Sequence, residues 1–269
     1  MIETSDFLII GGGIAGTGAA ARLAPDAKVT VLEMEDALGR HATGRSAAIF
    51  IRNYGNATLR ALNAASEPVL KNPEGISEES LLSPRGEMLI ATEDELDAFK
   101  AYLDGADGME VLTAEEAVAL FPLLRKETIA AAAIERDAQD IDVDRLLQGF
   151  ARLARKAGAR FVTEAPAQRI LRSGGQWRVE TPKGAFEAPV LINAAGAWAD
   201  QIAGLAGVRK VGLVPMRLSA AIVPPPDGID VTKWPLVASA SEQWYAKPDA
   251  GKFMVSPADE DPVEPHDAW

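Results

Sequence analysis

The sequence predicts an α/β fold: a parallel sheet opened by a strand–glycine turn–helix unit, then a meander, then a second, mixed sheet. Three observations lead there. A continuously apolar run over 6–10 meets Gly11-x-Gly13-x-x-Gly16, a small-residue helix over 15–24 stopped by Pro25, and a second strand over 28–32 that ends on Glu33. Short strand-like runs over 165–171, 177–181 and 185–187 are separated by Ser-Gly-Gly and Pro-Lys-Gly turns. Beyond these, apolar stretches over 211–223, 236–247 and 252–256 have the pattern of long strands in a second sheet.

The first strand is apolar throughout rather than alternating, as expected of a parallel sheet covered on both faces. Gly11 permits the tight turn, Gly13 lets backbone approach a pyrophosphate, and Gly16 lets helix and strand pack closely. The helix N-terminus turns free N–H groups and a positive dipole end toward phosphates. Glu33, roughly 20 residues on, can accept hydrogen bonds from a ribose diol and would repel a 2′-phosphate. The unit therefore reads as Rossmann-like and calls for NAD or FAD, not NADP. A turn that holds no nucleotide is the poorer reading, because strand, helix and acid all stand where a nucleotide needs them.

A chain of 269 residues suits one large or two medium domains. An apolar content of 48% and a mean hydropathy near zero indicate a globular protein. No apolar stretch reaches the roughly 18 residues of a membrane span, and the N-terminal strand lacks the basic segment of a signal peptide. The absence of cysteine removes disulfides, thiolate metal sites and cysteine nucleophiles together, and fits a cytoplasmic location. A net charge of −12 argues against nucleic acid or an anionic membrane as partner and mildly favours a cationic small molecule. With only His41 and His266, neither a histidine zinc site nor a Ser-His-Asp triad is expected, and no metal is predicted.

After Glu33 the chain turns small and polar through Ala42, Thr43, Gly44, Arg45, Ser46, Ala47 and Ala48, where a nicotinamide-type unit would start a third strand. A second small-residue loop so near the first suits a long cofactor lying against backbone, as FAD would, although a plain surface loop reads equally well from this stretch alone. Residues 56–69 have helical spacing (Leu59, Leu62, Ala65, Val69), 86–91 reads as a strand and 93–103 as a helix. Thr113-x-x-Glu116 is a capping box opening a short helix that ends before Pro122, and 129–134 is another strand. Asp142 or Asp144 caps an amphipathic helix whose face carries Leu146, Leu147, Phe150, Leu153, Ala154 and Ala157. After the meander, an apolar strand over 190–193 runs into Ala-Ala-Gly196 and a helix over 198–206, a second strand–small turn–helix unit.

At Gly11–Gly16, Glu33, Gly39–Ala48 and Asn193-Ala-Ala-Gly-Ala-Trp-Ala-Asp200 the chain resembles the FAD-dependent D-amino-acid oxidase superfamily, which also includes glycine-, sarcosine- and dimethylglycine-oxidising flavoenzymes. Within it, Thr43-Gly-Arg-Ser-Ala-Ala, Leu81-Leu-Ser-Pro-Arg-x-Glu-Met88, Ala203-Gly-Leu-Ala-Gly-Val-Arg and Tyr245-x-Lys-Pro-Asp-Ala-Gly251 resemble the bacterial FAD-dependent D-arginine dehydrogenases. The resemblance implies a discontinuous FAD-binding domain (1–84 and 142–214) and a substrate-binding domain (85–141 and 215–269). It implies non-covalent FAD, and hydride transfer from the substrate Cα to flavin N5. The imine then hydrolyses to a 2-oxo acid and ammonia, with oxygen or a quinone as electron acceptor. Orientation of Cα–H and a neutral amine matter more to such chemistry than a strong base.

Carried over by position, Ala15, Glu33, Met34, the Ala42–Ala48 loop and Ala167 would line the FAD, beside Gly11, Gly13, Gly16 and Gly196. Tyr54, Glu87 and Tyr245 would face the substrate, the two tyrosines at the reacting centre. The chain departs from those relatives at Ile49 and Ile51, where they carry a histidine and a threonine, and at Leu218, where they carry a substrate-binding arginine. Strand alternation would turn the neighbouring Arg217 to the other face. These changes make the pocket more apolar and favour broad D-amino-acid use. A sarcosine/glycine-type or 2-hydroxy-acid flavoenzyme, or a flavin-binding fragment without catalysis, are the alternative readings. Relatives continue for roughly another hundred residues, as the resemblance implies, so the chain is expected to be part of a longer enzyme, lacking the C-terminal part of the family fold and, alone, poor in FAD binding and turnover.

Overall fold

The computed structural model describes residues 2–267. Phe7–Ile10 lies between Val29–Leu32 and Val190–Asn193, and Arg160–Val162 pairs outside Val29–Leu32, all parallel. The two faces of this sheet are buried by different partners, which is why its strands are apolar without alternation. On one face Ile9, Val29 and Val31 pack with Ala20, Ala21 and Ala24 of and beyond the helix Ile14–Leu23, and with Ala154 of the helix Val143–Lys156. Alanines at that contact let the helices sit close. On the other face Leu8, Ile10 and Leu32 meet Ile170, Val179 and Phe186 of the meander.

The meander comprises Arg169–Ser173, Gln176–Thr181 and Gly184–Ala188, with Ile2–Thr4 added parallel to the last. Its first strand starts later than the pattern suggests. Glu164 and Ala165 instead donate their amides to the carbonyls of Glu35 and Glu33, extending the parallel sheet's edge.

A seven-stranded sheet has the order Ala221–Val223, Lys252–Ser256, Tyr245–Asp249, Leu236–Ser239, Glu87–Ala91, Ala131–Glu135, Met109–Leu112. Only the Leu236–Ser239 and Glu87–Ala91 pair is parallel. One face buries Met88, Ile134, Val237 and Phe253 with Phe121 and Trp234. The opposite face buries Leu89 and Ala133 against Phe99 of the helix Leu96–Leu103. A small sheet of Ile49–Phe50, Gln139–Ile141 and Leu82–Pro84 joins chain from both expected domains.

Two expected strands are corrected. The stretch 211–223 holds only Met216–Arg217 and Ala221–Val223, because the amides of Val211, Gly212 and Leu213 donate to the Asp200 carboxylate instead of to a neighbouring strand. The stretch 236–247 is broken between Leu236–Ser239 and Tyr245–Asp249 by a turn in which the Ser239 amide donates to Trp244 O and Glu242 takes φ +56°. The expected helices are present with shifted ends. Asn56 caps Ala57–Lys71, Asp142 (not Asp144) caps Val143–Lys156, and 3₁₀ turns precede Leu96–Leu103 and Ala199–Leu205.

Candidate active site

The glycine turn is built by sterics that can be followed atom by atom. Gly11 has φ +108°, and a Cβ there would fall on the carbonyl oxygen of Ala194; one at Gly16 would fall on the carbonyl of Gly11. Gly13 differs. Its backbone is extended (φ −74°, ψ −174°), and a Cβ would come near only Thr43 Oγ1, at 3.3 Å. Gly13 thus keeps open the space in front of the helix N-terminus, and Gly11 and Gly16 keep the turn itself closed.

The second small-residue loop lies against the first. The Gly39 amide donates to Gly12 O (3.2 Å), and the Ile14 amide donates to Thr43 Oγ1 (3.1 Å). Glu33 is buried beneath both: Oε2 accepts from the Gly12 amide at 2.6 Å and Oε1 from the Glu35 amide at 2.9 Å. Each oxygen retains a lone pair for a ribose hydroxyl. This cradle suits the adenosine and pyrophosphate part of FAD: open backbone at Gly13, a helix N-terminus and an aligned acid.

A cavity of about 860 Å³ opens beside the loop. Its walls include Ser46, Ala47 and Ala48, then Ile49 and Ile51, the apolar side of the helix Ala57–Lys71, and the sheet residues Glu87, Leu89, Ala238 and Tyr245. That helix has no buried residue; Leu59, Leu62 and Val69 are exposed to the cavity instead of to a core. Tyr54, Glu87 and Tyr245, far apart in sequence, share this one cavity, as do Leu218, Glu242 and Glu260. Among the described residues that line it there are three glutamates and no lysine, arginine or histidine.

Glu87 is only 4% exposed, and among the described residues its side chain meets the Tyr102 hydroxyl, which donates to Oε2 at 3.2 Å. Burial first, then the negative charge of Glu135, pushes its carboxyl up to about 8. Burial also raises the Tyr102 phenol, with Glu87 adding to it, and raises that of Tyr54. The site at rest therefore offers O–H donors at neutral pH. Arg52, although near in the chain, directs its guanidinium to Glu67 and Asp137.

The remaining candidates spread along the cradle. Met34, Thr43, Ala47, Ala48 and Ala167 are half-buried, whereas Ala15, Ala42, Gly44, Arg45 and Ser46 are exposed. Gly196 is exposed with φ +52° and open space around it. Ala194, unremarkable in the sequence, is the residue of that second unit that closes on Gly11. Arg217 pairs with Asp259 and Asp261, so Leu218 alone of the two faces the cavity. Tyr102, Asn53 and Glu135 also escape a sequence reading. The available signal is a lone glutamate in each of two apolar strands, Glu87–Ala91 and Ala131–Glu135.

With this geometry in hand, residues 6–268 match the DAO family, described as FAD dependent oxidoreductase, and the chain belongs to that family. The chain is 25% identical over 281 residues to human mitochondrial dimethylglycine dehydrogenase, covering 99% of itself and 32% of that protein. It is 29% identical over 218 residues to the glycine oxidase of Bacillus licheniformis, covering 78% of itself and 59% of that enzyme. It therefore spans about a third of the mitochondrial relative. The likeness is to the family at large, not to D-arginine dehydrogenases in particular. Among solved structures, L-α-glycerophosphate oxidase from Mycoplasma pneumoniae, with FAD bound, superposes with a TM-score of 0.86 at 20% identity, over 97% of this chain and 73% of that one. L-proline dehydrogenase from P. horikoshii gives 0.78 at 24% identity, over 95% and 70%. At these identities they establish the fold. FAD is the cofactor of this family, and the glycine cradle fits it. No helix among the described residues is long and apolar enough to cross a membrane.

Proposed function

We propose that this chain forms the cofactor cradle and the substrate cavity of an enzyme that oxidatively deaminates D-amino acids, with basic and medium apolar side chains both accepted. The observation that carries the reading is the cavity itself: Tyr54, Tyr245 and Glu87 around one apolar space of about 860 Å³, with acids and, among the described residues, no cation in its lining. Such a lining favours an amine, and Glu87 favours a basic side chain at its end. Ile49, Ile51 and Leu218 offer apolar side chains a wall.

In this reading Gly11, Gly13, Gly16 and Thr43 take the pyrophosphate and Glu33 the ribose. Ala15, Met34, Ala42, Gly44, Arg45, Ser46, Ala47, Ala48, Ala167 and Gly196 line the rest of the cofactor. FAD, when bound, supplies the hydride acceptor. Tyr54 and Tyr245 orient the amino acid through their hydroxyls, and Glu87 holds or yields a proton at its side chain. Residues 1–84 and 142–214 form the cofactor part, and 85–141 and 215–269 the substrate part, with the strand Gln139–Ile141 tying them together.

The relatives named for dimethylglycine and glycine support a second reading, in which glycine or one of its N-methyl derivatives is the substrate. Anaerobic addition of single substrates to the FAD-loaded protein separates the two. Bleaching of the flavin absorbance by D-arginine, D-lysine and D-methionine supports the first. Bleaching by glycine, sarcosine or dimethylglycine alone replaces it.

A further inference from the structure

We propose that Lys247 is a positioning residue for the cofactor, a buried ammonium that clamps the Ala47–Ala48 turn in the cavity wall. The proposal rests on the FAD reading above and deepens it.

Lys247 is 3% exposed and lies two residues from Tyr245 on the strand Tyr245–Asp249, so both point from the same face of the sheet. Its Nζ donates to Ala47 O at 2.6 Å and to Asp140 Oδ1 at 3.1 Å. Asp140 also receives Arg85, whose Nε donates to Oδ2 at 2.8 Å, and Arg85 Nη1 donates to the carbonyls of Thr232 and Trp234. One carboxylate thus seats two cations, and each reaches on to loop carbonyls, Lys247 to that of Ala47 and Arg85 to those of Thr232 and Trp234.

The turn it reaches is unusual. Ala48 holds φ +54°, a conformation that a residue with a Cβ seldom keeps unless its surroundings over-determine it. Here they do. Lys247 holds the carbonyl on one side of the residue, and the Ile141 amide donates to Ala48 O at 2.8 Å on the other. The Ala48 amide is taken by Ser46 Oγ at 3.0 Å. A buried ammonium is costly unless it is paired and hydrogen-bonded, and a neutral donor could tie a loop to a sheet at less cost. What this arrangement adds is a rigid, strained turn at the point where the cofactor loop becomes cavity wall, since Ala47 and Ala48 both line the cavity. A cofactor lying along 42–48 then meets backbone already in place, and binding spends less on ordering the loop.

The test is Lys247→Met, which leaves Asp140 paired with Arg85 and so orphans no carboxylate. Two readouts are followed in the purified protein: amide hydrogen exchange at Ile141 before FAD is added, then FAD titration by flavin fluorescence with the visible spectrum recorded. The proposal expects exchange at Ile141 about tenfold faster with Ile9 unchanged, an FAD dissociation constant about tenfold higher, and a shifted flavin band. Lys247→Gln, whose polar head is too short to span both partners, carries the same expectation should the methionine variant fail to fold. Equal acceleration at Ile9 and Ile141 with an unaltered flavin band would make Lys247 a fold-stabilising residue and overturn the proposal. Unchanged exchange and unchanged affinity would overturn it as well. A parent enzyme that takes up no FAD, tested with any sequence that follows residue 269 in place, fails the underlying reading and this one together, and is recognised because it fails before any variant is compared.

Discussion

Glu87 and Glu135 stand directly opposite one another across an antiparallel strand pair, yet their carboxyls keep different company. Glu135 Oε1 accepts from the Arg52 amide, and Oε2 accepts from the Asn53 amide and from Asn53 Nδ2. Glu87 has one phenol, Tyr102, and the cavity. Like charges at such a register destabilise each other, and Glu87, buried and facing the Glu135 charge, keeps its proton well above the ordinary carboxylate range. At neutral pH Glu87 therefore waits as an acid at the cavity's end.

This arrangement gives stability a pH dependence with a definite sign. The Glu87 carboxyl has an ordinary value of 4.5 and a folded value of about 8. Between them the folded protein holds a proton that the unfolded chain has released. Its contribution is fully present below pH 4.5 and is lost as pH rises to about 8, with a slope of at most about 1.4 kcal/mol per pH unit. Urea denaturation at a series of pH values should show that fall in the parent and a flatter profile in Glu87→Gln. Parallel profiles would assign the titration to another group.

The same proton bears on substrate choice. A cationic side chain binds best once Glu87 has ionised, so the preference for D-arginine over D-leucine should rise with pH and level off above about 8. Glu87→Gln should remove this rise and, above about pH 8, weaken D-arginine and D-lysine by roughly tenfold or more, the loss of one charge-assisted hydrogen bond. D-leucine and D-methionine should be little affected. Equal losses in both groups, read as kcat/KM, would remove Glu87 from a role in selectivity.

Gly13 and Gly16 belong to one motif but should fail differently when substituted. A side chain at Gly16 meets the backbone of Gly11, so Gly16→Val should destabilise the fold by more than the 1–3 kcal/mol usual for roughly similar overpacking, about what a rigid backbone neighbour adds. Gly13→Val, whose Cβ meets only Thr43 Oγ1 at 3.3 Å, should cost the fold less than Gly16→Val while FAD binding is lost. Calorimetry without FAD, followed by a flavin titration, distinguishes them. A Gly13→Val protein that still binds FAD like the parent would show that the pyrophosphate does not lie there.

These contrasts also mark where the sequence is legible. The glycine turn, the Thr113–Glu116 capping box and the helix Val143–Lys156 have local signals, and local signals survive folding. The stretch 211–223 misleads because apolarity alone suggests a strand. Asp200, from another element, takes three of its amides, and Val211 stays 78% exposed. The helix Ala57–Lys71 is readable as an amphipathic helix but not as a cavity wall, since its pattern is the same whether the apolar side faces a core or a ligand space. Glu87 and Tyr245 come together through sheet pairing across Leu236–Ser239, and Tyr54 joins them from the loop before the helix Ala57–Lys71, so residue spacing could not reveal that they share a cavity. Lys247 is similar: its partner Ala47 lies 200 positions away.

Leu218 gives the last prediction. It lines the cavity, is 56% exposed, and belongs to a lining whose described charged residues are Glu87, Glu242 and Glu260. An amino-acid carboxylate entering this space meets acids and hydroxyls and no cation among those residues. Arg217 cannot turn inward without leaving Asp259 and Asp261. Leu218→Arg would place a guanidinium where the leucine now stands, at little cost to packing because the side chain is already more than half exposed. A bidentate pair with a carboxylate should then lower KM for D-amino acids by roughly tenfold, with a smaller change in kcat, since the contact is made equally before and during reaction. The same variant should bind a simple amine without a carboxylate no better, or worse, because it adds a like charge. Titration with matched pairs, an amino acid and the amine that lacks its carboxyl group, reads this directly. Equal gains for both members of a pair, or no gain for either, would mean that the substrate carboxylate does not point toward Leu218.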